Sequence, residues 1–122
     1  MQDKEGVIVM KIWIDDVRPA PEGYEWIKSV NKAKSTIAKM ENENREIEEE
    51  SWGLKFDLTE LEVIDMDHDA GDFVSEGGDY IKLLEWLEGT GRNYPIHIHS
   101  MNPVEIENMR RIIQRNGWIE VK

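Results

Sequence analysis

The chain has 122 residues, 39% of them hydrophobic, which suits one domain with one modest core and argues against global disorder. Its 26 acidic residues outnumber 15 basic ones for a net charge of −11, a balance that repels polyanions and argues against duplex binding through phosphates. The absence of cysteine excludes a disulfide framework and thiolate metal sites. A small phosphorylated ligand or a nucleic-acid end stays compatible, because one metal ion or arginine reverses the local sign. The N-terminus has no basic stretch followed by an apolar run, and no apolar run is long enough to span a bilayer. A cytoplasmic protein with no membrane partner is expected, its oligomeric state open.

Residues 7–14 (VIVMKIWI) form a nearly continuous apolar run ending at Asp15-Asp16, the pattern of a strand buried on both faces; Met10 within it is an alternative start. Pro19 and Pro21 force a loop, and residues 24–28 (YEWIK) read as a short second strand. Ser29 or Asn31 then caps a helix with Ala33, Ile37, Met40 and Ile47 on its apolar face. Its tail, residues 41–50, holds six Glu and one Arg, so five of the eleven net negative charges lie in a solvated face or frayed extension. Trp52, Leu54, Phe56 and Leu58 alternate with polar residues, which predicts an extra edge strand or hairpin within an acidic insertion over 41–60.

Residues 61–66 (LEVIDM) form the next strand, ending at Asp67-His68-Asp69, and a glycine-bearing loop leads to a helix over 79–88 with Ile81, Leu84 and Leu87 on one face. Residues 96–99 form another strand, ending at Ser100. Asn102, Pro103 and Glu105 fit the N-cap, N1 and N3 positions of a helix with Ile106, Met109 and Ile113 inward, stopped by Gly117. Residues 118–121 suggest a last strand. This alternation, within one domain spanning 1–122, predicts an α/β, flavodoxin-like (receiver-like) fold. Four to five parallel strands carry helices on both faces.

In such sheets ligands bind where strands end, so Asp15-Asp16, Asp67-His68-Asp69 and His99-Ser100 should meet in one crevice. Converging carboxylates stay ionised only beside a cation, and oxygen ligands suit a divalent ion such as magnesium or manganese. Asp15, Asp16, Asp67 and Asp69 are the candidate ligands; for Asp69 an Asp-Gly-type turn is an equal alternative. His97 and His99 share a strand face, with His99 nearer the strand end and the better acid–base candidate, and His97 structural. His68, flanked by two Asp, is a second acid–base candidate. Arg18 and Ser100 offer donors to a phosphate, and Asn102 either contacts it or caps its helix.

This order of residues resembles the response-regulator receiver domain, which implies Asp15 and Asp16 as a metal pair, Asp67 as a phosphoryl acceptor and Ser100 as the hydroxyl position. The usual first helix is replaced by a loop, and only Lys122 could align with the usual final lysine. The sequence resembles more closely the cyclic-phosphate-processing branch of receiver domains. The motifs are Asp15-Asp16-Val17-Arg18-Pro19-Ala20-Pro21, Asp67-His68-Asp69-Ala70-Gly71 and His97-Ile98-His99-Ser100-Met101-Asn102-Pro103. The resemblance covers about Met10 to Gly117 and implies a metal-dependent phosphoesterase acting on a cyclic or terminal phosphate of a nucleotide or RNA end. Asp67, His68 and His99 would be its catalytic residues. Two alternatives stand beside it: a divergent signalling receiver phosphorylated on Asp67, and a non-catalytic binder of cyclic nucleotides.

Overall fold

The computed structural model describes residues 7–50 and 58–122. Its elements are strand β1 (Val7–Ile14), strand β2 (Glu25–Ile27), helix α1 (Val30–Glu50), strand β3 (Leu58–Met66), a 3₁₀ turn (Gly71–Phe73), helix α2 (Ile81–Gly89), strand β4 (Ile96–Ile98) and helix α3 (Pro103–Asn116). The strands form one parallel sheet in the order β2-β1-β3-β4. This is the four-strand form of the expected receiver-like sheet, with a loop where a first helix would stand. Trp52, Leu54 and Phe56 of the expected edge strand lie outside the described residues, whereas Leu58 opens β3, which pairs with β1 from Val7↔Leu58 onward. Residues 118–121 make no strand: of them only Glu120 forms a bridge, to Ile96, with Ile96 N–H donating to the Ile119 carbonyl and Val121 N–H to that of Ile96.

The connections explain which face is covered. From β2 through α1 to β3, and from β3 through α2 to β4, the chain steps the same way across the sheet. Right-handed crossovers therefore put these helices on one face. Ile12 and Ile14 of β1, Ile64 and Met66 of β3 and Ile96 of β4 point to that face. They pack with Ala33 and Ile37 of α1, Leu84 and Leu87 of α2, and Met109 and Ile113 of α3. Full burial of each Ile, Leu or Met side chain among them contributes about 1.5–3 kcal/mol. The step from β1 to β2 runs the other way and has only the loop over 15–24, so among the described residues no helix covers the second face. The expected helices on both faces are thus helices on one. Trp13, Asp65 and His97 stand there in register across β1, β3 and β4. Nor is β1 buried along its length: Ile12 and Ile14 are, but Ile8 and Val9 are exposed.

Ser29 caps α1, its Oγ accepting from Lys32 N–H at 3.1 Å. The Glu-rich run continues that helix, and Ile47 is only half-buried. Its first glutamate, Glu41, is held by Arg92, whose Nε donates to both carboxylate oxygens at 2.9 and 3.0 Å, and by the Tyr94 hydroxyl. Burial pushes the Glu41 pKa up, but these bonds outweigh it and leave it below the usual carboxylate value. On α2 the buried residues are Leu83, Leu84 and Leu87, and on α3 Met109, Ile112 and Ile113, so Ile81 and Ile106 face the margin of the core rather than its centre. Among the described residues no helix is long and apolar enough to cross a membrane.

Candidate active site

Parallel strands bring their carboxyl ends to one edge, and the ends of β1 and β3 lie side by side because Asp67 N–H donates to the Ile14 carbonyl at 3.0 Å. Ligand atoms of Asp15, Asp16 and Asp67 all fall within 4.8 Å of one another. The three carboxylates are not equivalent. Asp15 is fully buried and saturated with donors: Oδ1 accepts from Val17 and Arg18 N–H at 2.9 and 2.8 Å, and Oδ2 accepts from His99 Nε2 at 2.9 Å. Burial alone would raise its pKa, but the two amides and His99 bring it below the usual value. Asp16 is the uncompensated one. Burial raises its pKa, and the charges of Asp15, Asp69 and Asp67 raise it further against the pull of its own amide. Asp67 Oδ1 accepts from His68 N–H at 2.8 Å.

The loop after β3 closes tightly over Asp16. Asp69 Oδ1 accepts from Gly71 N–H at 2.9 Å, and Asp79 Oδ1 from Ala70 N–H at 3.0 Å. Gly71 has φ +54°, and a Cβ there would lie 2.1 Å from Asp16 Oδ2, so glycine is required on both counts. Asp69 thus makes the turn that was its alternative reading, outside the three-carboxylate group. The field of the cluster reaches Tyr80, whose hydroxyl donates to the Lys28 carbonyl at 2.7 Å. Burial first and then Asp16, Asp15, Asp67 and Asp69 drive its pKa well up.

The cationic side of the crevice is Arg18. Its Nε lies 3.5 Å from Asp15 Oδ2 and an Nη 3.7 Å from Asp67 Oδ2, while the other Nη donates to the His99 carbonyl at 3.2 Å. His99 is committed at both ring nitrogens: Nδ1 to Asp65 Oδ1 at 2.6 Å and Nε2 to Asp15 Oδ2. Burial would lower its pKa, but the bonds and charges of Asp65 and Asp15 prevail and raise it. Its ring also stacks on Trp13. The expectation that His99 is the better acid–base group therefore meets a ring with no nitrogen left for a ligand. His68 differs: Nδ1 is shut off from solvent and lies 3.2 Å from Glu105 Oε2, without hydrogen-bonding geometry to any described residue.

The model of one protein family, described as Cyclic-phosphate processing Receiver domain, matches residues 10–115. The chain belongs to this family. No curated protein and no solved structure matches it. In this receiver domain of a cyclic-phosphate processing family, the three motifs occupy the ends of β1, β3 and β4 and meet at the sheet edge. Ser100 Oγ accepts from Asn102 N–H at 3.2 Å and donates to Glu105 Oε1 at 3.4 Å. Asn102 is the N-cap of α3, its side chain accepting from Val104 and Glu105 N–H. His97 Nδ1 bonds the Val121 carbonyl at 2.8 Å. Lys122 Nζ lies 3.3 Å from Glu120 Oε2. Sequence reading missed Asp65, Glu105 and Trp13. Asp65 carried one available signal, an acid set between Ile64 and Met66 two residues before Asp67.

Proposed function

We propose that this domain is a metal-dependent phosphoesterase that processes a cyclic or terminal phosphate on a nucleotide or RNA end. The observation that carries the reading is the convergence of Asp15, Asp16 and Asp67 with Arg18 at one sheet edge, where His68 follows Asp67 in the chain. The donor set fits a hard divalent ion such as magnesium or manganese, since all three residues offer carboxylate oxygen and Asp16 is held among the like charges of Asp15, Asp69 and Asp67. Asp16 and Asp67 are the direct ligands in this reading, and Asp15, already saturated, orients what surrounds them. When bound, the ion offsets that charge and polarises the phosphoryl group.

The chain's own groups do the rest. Arg18 stands beyond hydrogen-bond length from both carboxylates, so its guanidinium is free to turn two donors toward phosphate oxygens while one stays anchored on the His99 carbonyl. Ser100 Oγ accepts from Asn102 N–H and gives its own proton only to the long bond with Glu105, so it is a further donor. His68 is the proton-transfer group, with Glu105 beside its ring. His99 and Asn102, both engaged within the protein, hold the frame.

The test is a turnover screen with Mg²⁺ or Mn²⁺ against cyclic nucleotides and RNA ends carrying cyclic phosphates. Turnover is expected to disappear in Asp67→Asn and to fall ~10²–10⁴-fold in His68→Ala. Metal-dependent tight binding without turnover would instead establish a binder. Lasting acetyl-phosphate labelling of Asp67 that alters oligomerisation would establish a signalling receiver.

A further inference from the structure

Asp65 is a carboxylate with no place in the crevice itself. It sits on β3 in register between Trp13 of β1 and His97 of β4, on the sheet face without helices, and is buried. A buried carboxylate is costly unless it is bonded. Its closest partner is His99 Nδ1 at 2.6 Å, with His97 Nε2 more distant at 4.0 Å. Carboxylate oxygens only accept, so the ring between Asp65 and Asp15 donates from both nitrogens. Trp13 lies parallel to that ring, 4.0 Å away and inclined by 6°, which leaves the imidazole little freedom except rotation in its own plane. The bond to Asp65 fixes that rotation.

We infer that Asp65 is a positioning residue of the carboxylate site, acting through His99 to fix the orientation of Asp15. This rests on the metal-site reading above. With Asp65 in place, His99 Nε2 is aimed at Asp15 Oδ2, and Asp15 Oδ1 stays turned to the amides of Val17 and Arg18. The loop carrying Asp16 and Arg18 is therefore anchored at its start by a bond whose direction is set from β3. Without the Asp65 acceptor the buried Nδ1–H loses its partner, the ring turns, and Asp15 and the loop lose that reference.

A purely structural Asp65 would affect stability but not the metal. The experiment compares Asp65→Ala with Asp65→Asn, whose amide oxygen still accepts from Nδ1. Mn²⁺ affinity is read by calorimetry, and the His99 ring N–H protons by NMR in EDTA. The unsubstituted protein should show both ring N–H signals. In Asp65→Ala the Nε2–H signal should vanish and Mn²⁺ affinity fall about tenfold or more, while Asp65→Asn keeps both signals and stays within about threefold. Should Asp65→Ala fail to fold, Asp65→Ser, too short to span the contact, takes its place. A folded loss variant that retains the Nε2–H signal and the original Mn²⁺ affinity overturns the inference, and so does Asp65→Asn behaving like Asp65→Ala. If the unsubstituted protein binds no Mn²⁺, the metal reading fails, and the ring signals alone decide whether Asp65 sets the His99–Asp15 bond.

Discussion

Trp13 lies flat against His99, ring centroids 4.0 Å apart. The same indole donates from Nε1 to the Arg18 carbonyl at 2.8 Å, so one side chain backs the histidine and ties down the loop that follows Asp15-Asp16. Trp13→Ala is expected to cost about 2–4 kcal/mol of stability. Trp13→Phe keeps a ring face and loses the donor, and should cost about 1 kcal/mol. Urea denaturation of both variants checks this; equal losses would assign the effect to the hydrogen bond rather than the stack.

Asp16 and Asp15 should respond in opposite ways to loss of charge. Asp16 is held among like charges, so Asp16→Asn should stabilise the metal-free protein by about 0.5–2 kcal/mol and abolish divalent-ion binding. Asp15→Asn places an amide donor against donors that now face a carboxylate, and should destabilise by about 1–3 kcal/mol. Melting in EDTA, paired with Mn²⁺ calorimetry, separates the two; a destabilised Asp16→Asn protein would contradict the assignment.

Gly71→Ala places a methyl group where Asp16 Oδ2 now lies and forces φ +54° on an alanine. A loss of roughly 1–3 kcal/mol is expected, with weaker Mn²⁺ binding as Asp16 is displaced. Unchanged stability and affinity would mean that the loop moves away without cost.

The Asp15–His99 pair gives the metal-free protein a stability plateau with two edges. His99 has a raised folded pKa, so its contribution is complete below the unfolded value of about 6.5 and disappears as pH rises through the folded one. Asp15 has a lowered folded pKa, so its contribution is complete above about 3.9 and disappears as pH falls through the folded one. Urea midpoints measured from acid to alkaline pH in EDTA should decline on both sides, and in His99→Gln the alkaline decline should flatten. An alkaline edge equally steep in that variant would assign it to other groups.

The sheet was legible because its evidence is local: Ile12, Ile14, Ile64, Met66 and Ile96 fall in short apolar runs that end in acids or polar residues. The convergence of Asp15, Asp16 and Asp67 followed from strand direction alone. The role of His99 did not. Its neighbour Asp65 lies 34 residues away in sequence, and only the side-by-side placement of β3 and β4 makes them partners. Likewise, that no described helix covers the second face depends on the direction of the step from β1 to β2, which periodicity does not encode. Asp69 was undecided because an Asp two residues before a glycine satisfies a turn as readily as a metal.

The central pair of the sheet, β1 with β3, joins Val7 to Leu58 and Ile14 to Met66 across the whole of β2 and α1. Contacts so distant in sequence form late and slowly, because the intervening chain must be ordered before they give any return. Asp15, Asp16 and Asp67 therefore become neighbours only as that pairing completes, and their mutual repulsion enters the folding reaction at its last stage. It is a charge that the unfolded chain does not feel and the finished sheet cannot avoid. A divalent ion would accordingly act mainly by slowing unfolding, leaving the folding rate nearly as it was.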